Sequence, residues 1–178
     1  VKRELVPDKK VRVAAFDGEN ADPTNGRLMG EGIRAFTPWG ELAYGLAGSK
    51  GYESMKQSDI ERKAPGAENI RDLFGGEPTL ILMDELAVYL RKVRGREDAA
   101  QLTPFLTSLF KAVESAPGAA LVFTLGLGRT GKASDAYREE NEQLSQGIDE
   151  AESIEEGESV AARKATLLDP TAENETAQ

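Results

Sequence analysis

An acidic pair at the end of an apolar run is the first feature of this sequence with a chemical use. Residues 79–83 (TLILM) lead into Asp84 and Glu85, and the helical spacing of Leu86, Tyr89, Leu90 and Val93 starts directly behind them. A buried parallel strand delivers its last residues to the carboxyl edge of a sheet, where ligands of open α/β folds bind. Two carboxylates there can divide the hydrolysis of a nucleoside triphosphate. Asp84 would hold the magnesium ion that bridges the phosphates, and Glu85 would polarise the attacking water. That is a Walker B element. A plainer alternative has Asp84 capping the following helix, with Glu85 favoured there by the helix dipole.

Two further stretches bear on the choice. Residues 119–125 (AALVFTL) form another apolar run, whose one polar side chain, Thr124, falls near the carboxyl end. A hydroxyl there could hydrogen-bond a γ-phosphate or the attacking water, although a β-branched residue is also ordinary in a strand. Residues 126–133 (GLGRTGKA) come one residue short of the phosphate-loop pattern G-x-x-x-x-G-K-S/T. Ala133 stands where a magnesium-binding hydroxyl is needed, and the acidic strand lies upstream instead of downstream. A glycine-rich turn exposing Arg129 and Lys132 is the expectation. A permuted phosphate loop running from Gly126 to Lys132 is the alternative.

Composition narrows the chemistry. The 178 residues contain no histidine and no cysteine, which removes the commonest neutral-pH base, thiolate zinc sites and disulfides. Carboxylates suit magnesium. The content of 39% hydrophobic and 30% charged residues fits a single globular domain. No apolar run approaches the roughly 20 residues of a bilayer crossing, no apolar signal region opens the chain, and a cytoplasmic location is expected. A net charge of −9 argues against broad binding to polyanions. Arg91, Lys92, Arg94 and Arg96 form the densest basic cluster, expected to be a solvated helix end with its cations near the C-terminal dipole.

The elements that must position these groups follow from periodicity. Residues 11–16 (VRVAAF) are expected as a strand ending at the turn Asp17-Gly18, with residues 17–36 as a long loop. Thr37 caps a helix with Pro38 at its first position and Glu41 behind, and Leu42, Ala43 and Leu46 share a face until Gly48 stops it. A polar connection over residues 49–64 leads to a short helix over residues 67–74. After the Asp84 strand and its helix, Leu102, Phe105, Leu106, Leu109, Phe110 and Val113 mark a second amphipathic helix. Strands alternating with helices predict a parallel sheet covered on both faces. An acidic helix over residues 132–158 and a last strand over residues 161–168 are expected beyond.

Several segments resemble a family of large bacterial and archaeal proteins of the DUF499 type, AAA+-like ATPases. They are VRVAAFDGEN, TPWGELAYGLAG, APGAENIRDLF, TLILMDELAVYLRKV, LVFTLGLGRTGKASDAYREEN and SVAARKATLLDPTAENETAQ, in the family's order over nearly the whole chain. The resemblance implies an α/β, three-layer P-loop NTPase-like core of the AAA+ (ASCE) kind, using ATP and Mg2+, with Asp84 and Glu85 as the Walker B pair and Thr124 at the sensor strand. It implies that the first strand and phosphate loop precede Val1, so that these residues alone are not expected to hydrolyse ATP. The missing strand would leave an open sheet edge between the sensor strand and the last strand, a template for homo-oligomers. Family members are often encoded beside DNA methyltransferases, which implies a DNA-linked defence or restriction role. A noncatalytic assembly module is the alternative. Arg129, Arg138 and Arg163 are all open as arginine fingers.

Overall fold

A computed structural model describes residues 9–124. Chain order runs β1 (Arg12–Asp17), β2 (Arg27–Gly30), β3 (Ile33–Ala35), α1 (Pro38–Glu61), α2 (Ala67–Phe74), β4 (Thr79–Asp84), α3 (Leu86–Val93), a 3-10 turn over Glu97–Gln101, α4 (Leu102–Glu114) and β5 (Ala119–Phe123). Within the described residues the expected strands and most helices are present within a residue or two. The segments over residues 126–133, 132–158 and 161–168, and with them Arg129, Arg138 and Arg163, lie outside the described residues.

β1, β4 and β5 form one parallel sheet in the order β1-β4-β5, with Asp17 opposite Asp84 and Met83 opposite Phe123. Each strand is joined to the next through helices, as parallel pairing requires. The face bearing Ala14, Phe16, Ile81 and Met83 is buried under the helices. Gly45 of α1 lies against Ala14, and the Tyr89 ring of α3 meets Phe16 edge-on at 5.3 Å. Trp39 and Phe105 join α1 to α4 over the same core, with ring centroids 5.2 Å apart.

The opposite face carries no helix among the described residues. Val13 and Val122 are half exposed at 51% and 52%, and Ala15 and Ala120 beside them are exposed too. Among the described residues the domain is a sheet with one helical layer. Apolar runs such as VRVAAF read as buried on both faces because their exposed positions are apolar as well.

Two corrections concern residues 17–64. The expected long loop contains an antiparallel hairpin, β2 with β3, paired from Arg27 with Ala35 to Gly30 with Ile33. The helix begun by Thr37 does break at Gly48, but the chain re-enters a helix at once and does not run on as a polar connection. A straight helix of the 24 residues in α1 would span about 36 Å. Instead Asp59, near its end, hydrogen-bonds the cap residue Thr37. The cause is non-helical backbone at Ala47 and Gly48, the latter at φ 60°, ψ −151°, a conformation that side chains disfavour. α1 is thus a pair of antiparallel limbs. They touch where Gly40 faces Asp59; a Cβ on Gly40 would lie 2.2 Å from the Asp59 carboxylate.

The hairpin is tied to α1 by a buried charge. Arg27 of β2 donates to Glu41 Oε2 at 2.9 Å, and the Glu41 side chain is only 3% exposed. Burial pushes the Glu41 pKa up to about 7, against the counteracting charge and hydrogen bond of Arg27. Between the ordinary 4.5 and about 7 the folded chain keeps a proton that the unfolded chain has lost. The resulting stability is fully present below the unfolded value and disappears as pH rises through the folded one. Glu41→Gln, neutral at every pH, is expected to abolish a decline of about 3 kcal/mol across that interval. Urea melts of both proteins at pH 5 and pH 8 read this directly, and parallel pH profiles would contradict it.

Candidate functional site

Three parallel strands in register bring their carboxyl ends to one edge. Asp84 ends β4 and is exposed, Asp17 ends β1 as its register partner, and Thr124 follows β5. Register partners on neighbouring strands sit about 4.8 Å apart at the backbone, so Asp17 and Asp84 are adjacent acidic positions. Thr124 is set by its own backbone, whose N–H donates to Met83 O at 2.9 Å.

The predicted residues meet in a closed set of hydrogen bonds. The Thr124 hydroxyl donates to Asp84 Oδ1. The Glu85 N–H reaches the same Oδ1 at 3.0 Å and Thr124 Oγ1 at 3.3 Å. The fold places the Thr124 hydroxyl on Asp84 from a strand 40 residues away in sequence.

The simple capping explanation of the pair is not what the structure contains. Glu85, not Asp84, occupies the cap position of α3, and it makes no side-chain capping bond. Its backbone is left-handed at φ 53°, ψ 42°. A non-glycine residue in that region costs of order 1 kcal/mol, and such strain gathers at functional positions.

Asp17 escaped the sequence reading, which saw only a turn at Asp17-Gly18. Its carboxylate accepts from Glu19 N at 2.9 Å, Asn20 N at 3.2 Å and Asn20 Nδ2 at 2.6 Å. These bonds, the Asn20 side chain first, hold its pKa below the ordinary carboxylate value. The detectable signal was the pattern Asp-x-x-Asn directly after a strand, since Asp side chains close turns on the amides that follow.

The basic cluster lies at the end of α3 as expected, with Arg91 and Lys92 in its last turn and Lys92 and Arg94 exposed, but two of its side chains are engaged. Lys92 donates to Glu19 O and, at 2.8 Å, to Ala21 O. Arg96 donates to Thr24 Oγ1 at 3.1 Å and to Asp98 at 3.0 Å. Both side chains fasten the loop after β1 to α3 and the turn that follows it.

Among the described residues no group of three or more carboxylates is arranged to hold a metal ion by itself. That is no obstacle for magnesium, which takes one or two carboxylates and completes its shell with phosphate and water. No described helix is long and apolar enough to cross a membrane.

Comparison with curated proteins and with solved structures finds no match. A family model described as the DUF499 N-terminal domain matches residues 2–156, most of the chain, and the protein belongs to that family.

Proposed function

We propose that this domain supplies the metal-holding and water-activating half of an ATP-hydrolysing site of the AAA+ kind. The observation that carries the reading is the joining of Asp84, Glu85 and Thr124 at the carboxyl edge of the parallel sheet. Asp84 is an exposed, hard oxygen donor suited to Mg2+. The bound ion would neutralise charge on the phosphoryl group being transferred. Glu85 accepts a proton from the attacking water, and Thr124 presents its hydroxyl to the same region. A phosphate-gripping loop has to come from outside the described residues.

The sheet order supports this arrangement. All described connections run in the direction β1, β4, β5 and carry their helices on one face. A strand preceding β1 and paired beyond β5 would connect in the reverse direction. The right-handed crossover rule then sends its helix to the open face bearing Val13 and Val122. A phosphate-loop strand in that place would lie beside β5 and would complete a three-layer core.

Work on DNA alongside a methyltransferase system remains a proposal that rests on the family resemblance. The described residues add little to it, because Lys92 and Arg96 direct their donors at the chain's own loop. Magnesium-dependent ATP hydrolysis by the full-length protein tests the central reading. Asp84→Asn is expected to lower it about a hundredfold. Turnover unchanged by that substitution would exclude Asp84 as the metal-holding residue.

A further inference from the structure

The turn after β1 touches the acidic edge at one point, and the contact is made by bare backbone. Gly18 N donates to Asp84 O at 2.9 Å. A Cβ built on Gly18 would lie 2.1 Å from Glu85 O and 2.8 Å from Glu85 C. Gly18 is absent from the positive-φ residues, so glycine is required there for space and not for conformation. The atoms it would strike are backbone, which cannot swing aside as a flexible side chain can.

The opposite side of Glu85 is held too, since its N–H faces Asp84 Oδ1 and Thr124 Oγ1. Its carbonyl oxygen accepts the first helical bonds of α3, from Val88 N at 3.0 Å and Tyr89 N at 3.2 Å. The left-handed conformation of Glu85 is therefore fixed between the start of a helix, a neighbouring strand and the Gly18 backbone. The Asp17 carboxylate, closing its turn on Glu19 and Asn20, keeps Gly18 against that surface.

We infer that Gly18 is a positioning residue for Glu85, and that the turn over Asp17, Gly18 and Asn20 sets the general base through backbone contact alone. This rests on Glu85 being the base. Any side chain at residue 18 pushes the Glu85 peptide away, and a displacement of about 1 Å at a catalytic group is enough to slow the step it serves. Nucleotide binding is not made through Gly18, so the effect belongs in kcat.

The test uses the full-length protein, with steady-state ATP turnover and thermal melting of Gly18→Ala, Asn20→Ala and Glu85→Gln. Gly18→Ala is expected to lower kcat about tenfold or more with KM for ATP within about twofold. Asn20→Ala adds no atom near Glu85 and only loosens the turn; it is expected to act in the same direction, about threefold. If Gly18→Ala fails to fold, Asn20→Ala decides alone. An unchanged kcat in the deciding variant overturns the inference, and so does a parallel worsening of KM, the mark of a general structural loss. Glu85→Gln separates the two levels. Loss of turnover there without loss in Gly18→Ala sinks the positioning role only, whereas full turnover in Glu85→Gln sinks the base assignment itself.

Discussion

Glu85→Gln in the full-length protein is expected to reduce ATP turnover about a thousandfold and leave ATP binding within a few-fold of the parent. The size follows from what a positioned base contributes, of order a hundredfold to ten thousandfold. The amide keeps the shape of the side chain but cannot accept the proton of the attacking water. On the proposed reading binding survives, because the phosphates would be gripped elsewhere and Asp84 is untouched. The backbone constraint on Glu85 survives as well, since it runs through the N–H to Asp84 Oδ1 and Thr124 Oγ1 and the carbonyl to α3. Asp84→Asn should differ in kind, because magnesium dependence weakens along with turnover. Calorimetry with ATP beside a phosphate-release assay distinguishes them. If turnover stays at the parental rate, the pair belongs to a noncatalytic module.

Asp59→Ala is expected to cost about 4 kcal/mol of stability, and Asp59→Asn less than about 1 kcal/mol. Asp59 is fully buried; Phe36 N lies 3.1 Å from both of its carboxylate oxygens, and Oδ1 also accepts from Thr37 N at 2.9 Å and Thr37 Oγ1 at 2.5 Å. Its other oxygen lies 2.9 Å from the Tyr52 hydroxyl, which also lies 2.8 Å from Arg34 O. Tyr52 has one proton to give and cannot serve both. A proton on Asp59 Oδ2 resolves the conflict by donating to Tyr52, which then donates to Arg34 O. Burial raises the Asp59 pKa in the direction that favours this, against the hydrogen bonds from Thr37, Phe36 and Tyr52. Asparagine reproduces that pattern, with its oxygen toward Thr37 and its amide toward Tyr52. Alanine strands the donors of Phe36 and Thr37 and removes the donor that Tyr52 accepts. Urea melts at neutral pH compare the two variants. Equal losses would mean that the buried group is ionised.

The acidic edge was legible because its determinants are local. An apolar run, a terminal Asp-Glu and a helical repeat fall within 15 residues, from Thr79 through Val93. α4 was legible for the same reason, with Leu102, Phe105, Leu106, Leu109 and Ala112 buried at helical spacing. Phe110 and Val113, expected on that face, sit at its margin, where Phe110 meets Phe123 at 6.2 Å. The hydrogen bond between Thr124 and Asp84 was not expected, since pairing between strands is a tertiary event that local sequence does not carry.

What stayed hidden has identifiable causes. β2 and β3 span Arg27–Gly30 and Ile33–Ala35, too short to show alternation, and Leu28 on β2 is exposed. The second limb of α1 buries Tyr52, Met55 and Asp59 at helical spacing, but the last is a carboxylate and conceals the stripe. Glu41 is the mirror case. It was expected only as a residue near the start of its helix, and it is buried against Arg27. Polar residues on inward faces defeat a reading based on hydrophobic period, because that reading assumes the partners it cannot see.

Asp84 and Thr124 are not held with equal stiffness. β4 lies between two strands, whereas β5 pairs with β4 alone among the described residues. The hydroxyl that touches Asp84 therefore rides on a ladder supported from one side, and the carboxylate on one supported from both. Whatever pairs with the outer edge of β5 restricts Thr124, and so shares a free energy with anything that binds through Asp84. Such a coupling is reciprocal: the edge partner tightens the ligand by the same factor as the ligand tightens the edge partner.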